Sequence, residues 1–347
     1  MHGRSAPQCR DVRGACGAVA GARGPNAGRA PRSGEGMSSR VVALGGGHGL
    51  AASLAALRRV TEDLTGIVTV ADNGGSSGRL REEFGILPPG DLRMALAALC
   101  RDDDWGRTWA GILQHRFSGD GPLGNHALGN LLLAATWDRL GDTVSGLALV
   151  GELLGAQGRV LPMASVPLTI EADVRSRIAP YPVERVRGQA QVASARGEVL
   201  GVRLEPADPP ACPESVAAID DADWVVVGPG SWFTSVMPNL LVPSLREALV
   251  RTSARRVLVL NLVDQPGETE GLTPSAHLDV LVEHAPDLRL DAIVADRRSV
   301  ADDSALQHAA RRLGATLVCA DVASQERPDQ HDPELLARVF TRVFAEA

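Results

Sequence analysis

The feature that most constrains this chain is a strand, a glycine cluster and a helix in direct succession. The four apolar residues at 41–44 predict a buried strand, and leucines then recur at helical spacing, at Leu50, Leu54 and Leu57. Between them lies a loop of glycines with one histidine: Gly45, Gly46, Gly47, His48 and Gly49. Glycines let the backbone approach a ligand, and a helix N-terminus offers free N–H groups and partial positive charge. This succession therefore predicts a phosphate-binding loop.

The same loop also satisfies the dinucleotide-binding fingerprint, as Gly47-x-Gly49-x-x-Ala52. Asp72, at the end of the next predicted strand, would then be the acid that binds the ribose. A tight turn without any ligand is the structural alternative. NAD binding ranks last among the functions we consider, because no residue suggests the proton transfer that a dehydrogenase needs.

Composition excludes several classes of protein. All 35 basic residues among the 347 are arginine, which excludes a standard P-loop and Schiff-base chemistry on lysine. A net charge of −7 argues against nucleic-acid binding. No apolar run reaches the roughly 18 residues that span a membrane. We therefore expect a cytoplasmic protein with neither nucleic acid nor membrane as a partner.

The first 36 residues consist mainly of glycine, alanine, arginine, serine and proline. Such a segment cannot bury enough apolar surface to fold, so residues 1–36 are predicted to be disordered. Met37 lies just before the first predicted strand, and the simplest hypothesis is that translation begins there. The folded part is then an α/β domain at 37–347.

A second predicted strand, at 66–71, ends in another polar, glycine-rich loop. Its members offer backbone N–H groups, two hydroxyls and a guanidinium to one anion: Asp72, Asn73, Gly74, Gly75, Ser76, Ser77, Gly78 and Arg79. This arrangement suits a diphosphate. Farther along, Asp91 stands where the N-cap of a helix belongs, and as a second carboxylate near Asp72 it could hold Mg²⁺. Asp72 and Asp91 are therefore the candidate metal ligands, and Mg²⁺ is the candidate cofactor.

The remaining candidates follow later helices and strands. Asn125, His126 and Asn130 offer neutral polar groups that could contact a base or a sugar. Short alternating segments at 159–205 predict a small β-rich insertion. The apolar strand at 224–227 precedes a third glycine loop: Gly228, Pro229, Gly230 and Ser231.

Alternation of these strands with helices predicts an open, doubly wound α/β sheet with mostly parallel strands. The carboxyl ends of parallel strands share one edge, so at least four polar loops should meet there. That convergence predicts a binding site.

Taken together, these motifs resemble the YvcK family, the gluconeogenesis factors within the CofD-like fold. The matching residues are the loops at 44–50, 67–81 and 88–91, with 129–134, 228–231, 238–242 and 265–269. The resemblance covers residues 40–320. It implies a Rossmann-like α/β sandwich of three layers with a mostly parallel sheet and an acidic, glycine-lined nucleotide site. It also implies UDP-sugars such as UDP-N-acetylglucosamine as ligands, and roles in gluconeogenic growth, cell shape and peptidoglycan synthesis.

Two departures from the family pattern bear on function. His48 stands where the family usually has threonine, and Asn73 where it usually has a second aspartate. The first changes the phosphate loop, and the second removes a carboxylate that would help to bind a metal. A third change, Phe233 in place of tyrosine, removes a hydroxyl.

Two leading functions follow. The first is a nucleotide-sugar-responsive regulator without turnover. The second is a Mg²⁺-dependent transferase of a phosphate-linked group from a nucleoside diphosphate donor, like the 2-phospho-L-lactate transferase that the resemblance implies. No catalytic residue is identified. Relatives of this kind often form dimers, but the sequence identifies neither a homodimer interface nor a regulatory protein partner.

Overall fold

A computed structural model describes residues 39–265, 267–300 and 304–346. The predictions for residues 1–36 and for the start at Met37 lie outside these ranges. The strands are β1 Arg40–Gly45, β2 Asp63–Val68, β3 Arg159–Pro162, β4 Thr169–Ser176, β5 Val183–Arg187, β6 Gly197–Glu205, β7 Trp224–Val227, β8 Arg255–Val259, β9 Ala292–Asp296 and β10 Thr316–Ala320.

The helices alternate with these strands through most of the chain. They are α1 Gly47–Leu57, α2 Gly75–Phe84, α3 Pro89–Leu99, α4 Asp104–Gln114, α5 Leu128–Leu140, α6 Thr143–Leu154, α7 Gln189–Ala193, α8 Pro213–Asp220, α9 Met237–Leu241, α10 Pro243–Arg251, α11 Pro274–His284, α12 Leu306–Arg312 and α13 Pro333–Ala345. A π-helical turn, Trp232–Val236, precedes α9.

Seven of the described strands form one sheet in the order β10-β9-β8-β7-β1-β2-β3, and every neighbouring pair is parallel. The predicted α/β class with a parallel sheet is confirmed. A smaller antiparallel sheet has the order β5-β4-β6. The segment predicted as an insertion at 159–205 is therefore divided, because β3 extends the large sheet and the small sheet begins at β4.

Burial explains why β1 and α1 form where the sequence predicts them. Ala43 and Leu44 are fully buried at the centre of the sheet, and Leu54 and Leu57 of α1 are fully buried against it. Each buried leucine stabilises the fold by about 1.5–3 kcal/mol. Gly66 of β2 permits this packing, since a Cβ there would lie 3.1 Å from Leu54 Cδ2.

Several predicted boundaries differ from the structure. β2 ends at Val68, although the apolar run continues, because Val70 and Ala71 are buried in extended chain beyond the ladder. The helix predicted from residue 124 begins at Leu128, since Asn125 has a φ of 64° and the chain there turns. Within the region predicted to be β-rich, Gln189–Ala193 forms the helix α7 instead of a strand.

Asp91 is not the N-cap of its helix, so that prediction is wrong. Pro88 occupies the cap position, and α3 begins at Pro89 with Asp91 in its first turn. Proline suits the first helical position because its missing N–H would have no partner there.

Candidate functional site

The strand order fixes where a ligand site belongs. From β1 the chain proceeds through α1 to β2 on one side, whereas from β7 it proceeds to β8 on the other. The direction of winding therefore reverses between β1 and β7. In open α/β sheets the crevice outside the carboxyl ends of the strands at such a point is where ligands bind.

A cavity of about 460 Å³ lies at this position, and we call it the switch-point cavity. It is lined by Gly46, Gly47, His48, Gly49, Ala52, Asp91, Gln189, Pro229, Gly230, Ser231, Ser235, Asn261, Leu262, Val263, Gln265, Asp329, Gln330 and His331. The loops predicted at 45–49 and 228–231 thus face one space, as expected for strand ends at one edge.

Direct backbone packing joins these two loops. A Cβ on Gly49 would lie 2.3 Å from the carbonyl oxygen of Pro229 and 2.6 Å from Gly230 Cα, so only glycine fits. Gly47 adopts a φ of 57°, which also favours glycine. The loop after β1 therefore presents the N-terminus of α1 to the cavity at close range.

Asp91 lies at this same helix N-terminus. A Cβ on Gly46 would be 2.6 Å from Asp91 Oδ2, and the backbone N–H of Gly47 donates to the carboxyl group. Burial, followed by the charge of Asp72, raises the pKa of Asp91 to about 7. The side chain is half-buried and lines the cavity, so near neutral pH it can present either a proton or a charge to a ligand.

Asp72 is close enough for its charge to act on Asp91, but it is not among the residues that line the cavity. Its Oδ1 accepts a hydrogen bond from the N–H of Gly74 at 2.8 Å, and its Oδ2 would be 3.0 Å from a Cβ on Gly90. The charge of Asp72 contributes to the raised pKa of Asp91, and a divalent cation held by the two carboxyl groups would offset that repulsion.

Most of the other predicted residues between 73 and 130 stabilise packing. Ser76 Oγ is buried, lies 3.0 Å from His126 Nδ1 and accepts from Asn130 Nδ2 at 3.0 Å. Asn130 Oδ1 in turn accepts from Arg93 Nε at 2.8 Å. This buried network joins α2, α3 and α5, and none of its members lines the switch-point cavity.

Arg79 and Asn125 are also placed elsewhere. The Arg79 guanidinium donates to the carbonyl oxygen of Gly124 at 2.7 Å, and Asn125 is exposed in the same loop. Arg81 is the half-buried arginine near Asp72: it donates to the carbonyl oxygen of Leu168 at 2.5 Å. Burial lowers the pKa of Arg81, and the charge of Asp72 opposes that shift.

The glycines and Ser77 of the loop at 72–79 determine how its backbone packs. Gly74 caps α2, and Gly75 has a φ of 48°. Gly78 lies in α2, and Ser77 Oγ would be 2.3 Å from a Cβ on Gly90. The loop thus packs closely against the start of α3.

Several cavity residues were not among the predicted site residues. Asn261 holds the third glycine loop, since its Nδ2 donates to the carbonyl oxygen of Gly230 at 2.9 Å and its Oδ1 accepts from the Gly230 N–H at 3.1 Å. Gln265 Oε1 accepts from the N–H of Trp232 at 2.9 Å. Both residues follow β8. The sequence indicates a loop at the end of this strand, but it does not show which side chains of the loop face the cavity.

No pattern in the sequence indicated that residues 329–331 or Gln189 would line the cavity. Burial lowers the pKa of His331 to about 4, so this histidine is neutral at physiological pH. Its Nε2 has no hydrogen-bond partner within the described parts of the chain. Only the tertiary fold brings these residues to the cavity.

Comparison with known proteins identifies the family. The family model described as "2-phospho-L-lactate transferase CofD" matches residues 41–337. The chain belongs to the CofD family. Among its CofD-family relatives, a "Putative gluconeogenesis factor" of Mycobacterium tuberculosis is 53% identical over 313 residues, covering 89% of this chain and 91% of that protein.

A "Gluconeogenesis factor" of Bacillus subtilis is 36% identical over 268 residues, 77% of this chain and 82% of that protein. A crystal structure of a UPF0052-family member from Bacillus halodurans superposes with a TM-score of 0.77 at 34% identity, covering 88% of this chain and 99% of that one. The family resemblance read from the motifs is thus confirmed. Among the described helices of this CofD-family chain, none combines the length and hydropathy needed to cross a membrane.

Proposed function

We propose that this chain binds a nucleoside-diphosphate sugar of the UDP-N-acetylglucosamine type in the switch-point cavity. The observation that carries the proposal is the position of the α1 N-terminus, which faces the cavity through the glycine loop at 45–49. A Cβ on Gly46 or on Gly49 would overlap neighbouring atoms, so the backbone itself lies at the cavity. A helix N-terminus with close backbone access favours a diphosphate. The neutral amides and backbone groups around it suit a base and a sugar.

Bound ligand would act as a signal rather than as a substrate. The hydroxyl of Ser231 lines the cavity but donates to the buried carboxylate of Glu268, which also accepts from Thr234 Oγ1 at 2.9 Å and from the Phe233 N–H at 3.1 Å. This hydroxyl therefore anchors the loop after β7 to Glu268, and our proposal assigns it no catalytic role. The role we propose is a regulator of carbon metabolism, cell shape and peptidoglycan synthesis, in a cytoplasmic protein.

A second candidate function is favoured by Asp91. A Mg²⁺ ion held by Asp91 and Asp72 would neutralise phosphate charge, as transfer of a phosphate-linked group requires. The raised pKa of Asp91 beside Asp72 supports this alternative, since cation binding would displace the proton. Asn73, where the resembling family carries aspartate, removes one ligand that such a site would use.

Calorimetric titration with UDP-N-acetylglucosamine, with and without Mg²⁺, tests these proposals. Micromolar binding without any nucleotide product on long incubation supports the regulator, whereas Mg²⁺-dependent release of a nucleoside monophosphate supports the transferase. His48→Thr is the matched variant, because His48 is exposed at the cavity and its replacement disturbs no buried contact. Absence of binding by both proteins would refute the UDP-sugar proposal, and NAD and guanosine diphosphate would be titrated next.

A further inference from the structure

We propose that Gln189, at the start of α7, contacts the bound ligand, and that Asn73 positions it. This inference rests on the proposed function and deepens it, since it assigns part of the ligand recognition to the segment that bears the small sheet. α7 lies between β5 and β6 of that sheet, yet Gln189 lines the switch-point cavity of the large one.

Asn73 joins α7 to the loop after β2. Its Nδ2 donates to Gln191 Oε1 at 2.9 Å, and its Oδ1 accepts from the N–H of Ala190 at 3.1 Å. Both ends of the amide are therefore used. Gly188 makes this approach possible, because its φ is 102° and a Cβ there would lie 2.3 Å from Asn73 Nδ2.

The other end of α7 packs on the loop after β8. Gly267 has a φ of 83°, and a Cβ on it would be 2.4 Å from the carbonyl oxygen of Ala193. Val192, between these two contacts, is fully buried. Two strand-end loops of the large sheet thus fix α7 at the cavity wall.

Gln189 is the amide left available at this wall. Its half-buried side chain forms no hydrogen bond with any residue in the described ranges, whereas Asn261 and Gln265 are bonded to the backbone of the loop after β7. A neutral amide both donates and accepts, so it matches hydroxyl or amide groups of a sugar or base better than a phosphate. The geometry assigns Gln189 to the uncharged part of the ligand.

The chemistry of position 73 explains how positioning could be lost. An aspartate there would still accept from the Ala190 N–H, and rotation of the Gln191 amide would let its Nε2 donate to the second carboxylate oxygen. Asn73→Asp should therefore keep α7 in place, whereas Asn73→Ala should remove both contacts.

A double-mutant cycle measured by titration with UDP-N-acetylglucosamine tests the inference. Loss of one neutral hydrogen bond predicts a Kd about five- to tenfold higher for Gln189→Ala. Asn73→Ala should raise Kd in the natural background but not in the Gln189→Ala background, because positioning matters only if Gln189 is present. Arg175→Ala, which removes an exposed ion pair with Glu198 in the small sheet, is the control and should leave Kd within about twofold.

Hydrogen exchange in the absence of ligand provides an independent readout. The amide of Ala190 should exchange faster in Asn73→Ala than in the natural protein, whereas Asn73→Asp, which keeps the acceptor, should leave its exchange nearly unchanged. Additive losses in Kd, or an unchanged Kd for Gln189→Ala, would overturn the inference while leaving the proposed function intact. If the natural protein binds no UDP-N-acetylglucosamine, the proposed function fails, and unchanged exchange at residue 190 in Asn73→Ala would then overturn the positioning role as well.

Discussion

At the scale of single residues, Asp91 shows how the fold changes the chemistry of a side chain. Its carboxyl group is placed across the N-terminus of α1 instead of capping its own helix, and burial beside Asp72 raises its pKa from 3.8 to about 7. The sequence suggested the partnership of Asp72 and Asp91. It could not show that Asp91 occupies the end of the helix at which a phosphate is expected.

Asp91 should make the stability of the protein depend on pH. Between its unfolded pKa near 4 and about 7 the folded state binds the Asp91 proton more tightly, so the free energy of unfolding falls as pH rises through this range. Asp91→Asn cannot ionise and should lack this component. The full pKa shift would correspond to a loss of ~4 kcal/mol in the free energy of unfolding as pH rises. Since one side of the carboxyl group faces the cavity, we expect the natural protein to lose only about 1–2 kcal/mol more than Asp91→Asn over this pH range.

Urea denaturation of both proteins at pH 5 and pH 8 measures that difference. The other titrating groups are common to the two proteins and cancel in the comparison. Asp91→Asn should lose less stability between pH 5 and pH 8 than the natural protein does. Parallel pH profiles would show that the carboxyl group has its ordinary pKa in the folded state.

Gly49 should tolerate no side chain. The Cβ of Gly49→Ala would overlap the backbone at Pro229 and Gly230, which cannot rotate away, so we expect a loss of at least about 1–3 kcal/mol in the free energy of unfolding. Gly111→Ala is the matched control, because Gly111 also lies in a helix but has no atom near its Cβ position, and alanine should stabilise by about 0.5–1 kcal/mol. Equal effects in thermal denaturation would contradict the close packing of the two loops.

At the scale of elements, the third glycine loop, at 228–231, and the π-helical turn that follows it depend on a buried carboxylate. Glu268 is 4% exposed and accepts from Ser231, Thr234 and the backbone of Phe233. It thereby fixes the π-helical turn to the loop after β8. The sequence placed glycines and hydroxyls in this region but gave no sign that an acid 37 residues beyond Ser231 would satisfy them.

Removal of this carboxylate should be costly. Glu268→Ala leaves three donors without a partner, two of them buried, for which we expect a loss of about 2–4 kcal/mol in the free energy of unfolding. Glu270→Ala is the control, since Glu270 forms an exposed ion pair with Arg177 at 3.0 Å that should contribute less than about 1 kcal/mol. Chemical denaturation that finds the two variants equally stable would contradict the role of Glu268.

Elements with a strong apolar period could be predicted, whereas those decided by tertiary contact could not. β1, α1 and β7 follow directly from their buried residues. α7 forms from Gln189–Ala193, a segment without a clear period, and it is held by Asn73 and Gly267 from distant parts of the chain. Such contacts have no local signature in the sequence.

For the whole molecule, the sequence indicates that polar loops gather at one edge of a sheet, but the strand order decides which of them meet. Because β7 pairs with β1, the loops at 46–49 and 228–231 share the switch-point cavity. Most of the loop at 72–79 instead turns toward α3, α5 and α7. Long-range strand pairing of this kind cannot be read from hydrophobic period alone.

A second cavity provides an internal control for ligand binding. It measures about 540 Å³ and is lined largely by apolar residues, including Phe84, Leu131 and Trp137. The helix N-terminus in its wall, that of α6, is already capped by Asp142, whose carboxylate accepts from the Ser145 N–H at 2.7 Å and would repel a diphosphate. The two cavities therefore make opposite predictions for a nucleotide sugar.

Hydrogen-exchange mass spectrometry with saturating UDP-N-acetylglucosamine is the most direct test of the central claim. The account predicts slower exchange in the loops at 46–50 and 229–235 that face the switch-point cavity, with unchanged exchange in α5 beside the apolar cavity. Protection confined to α5, or no protection at either place, would contradict binding at the switch point between β1 and β7.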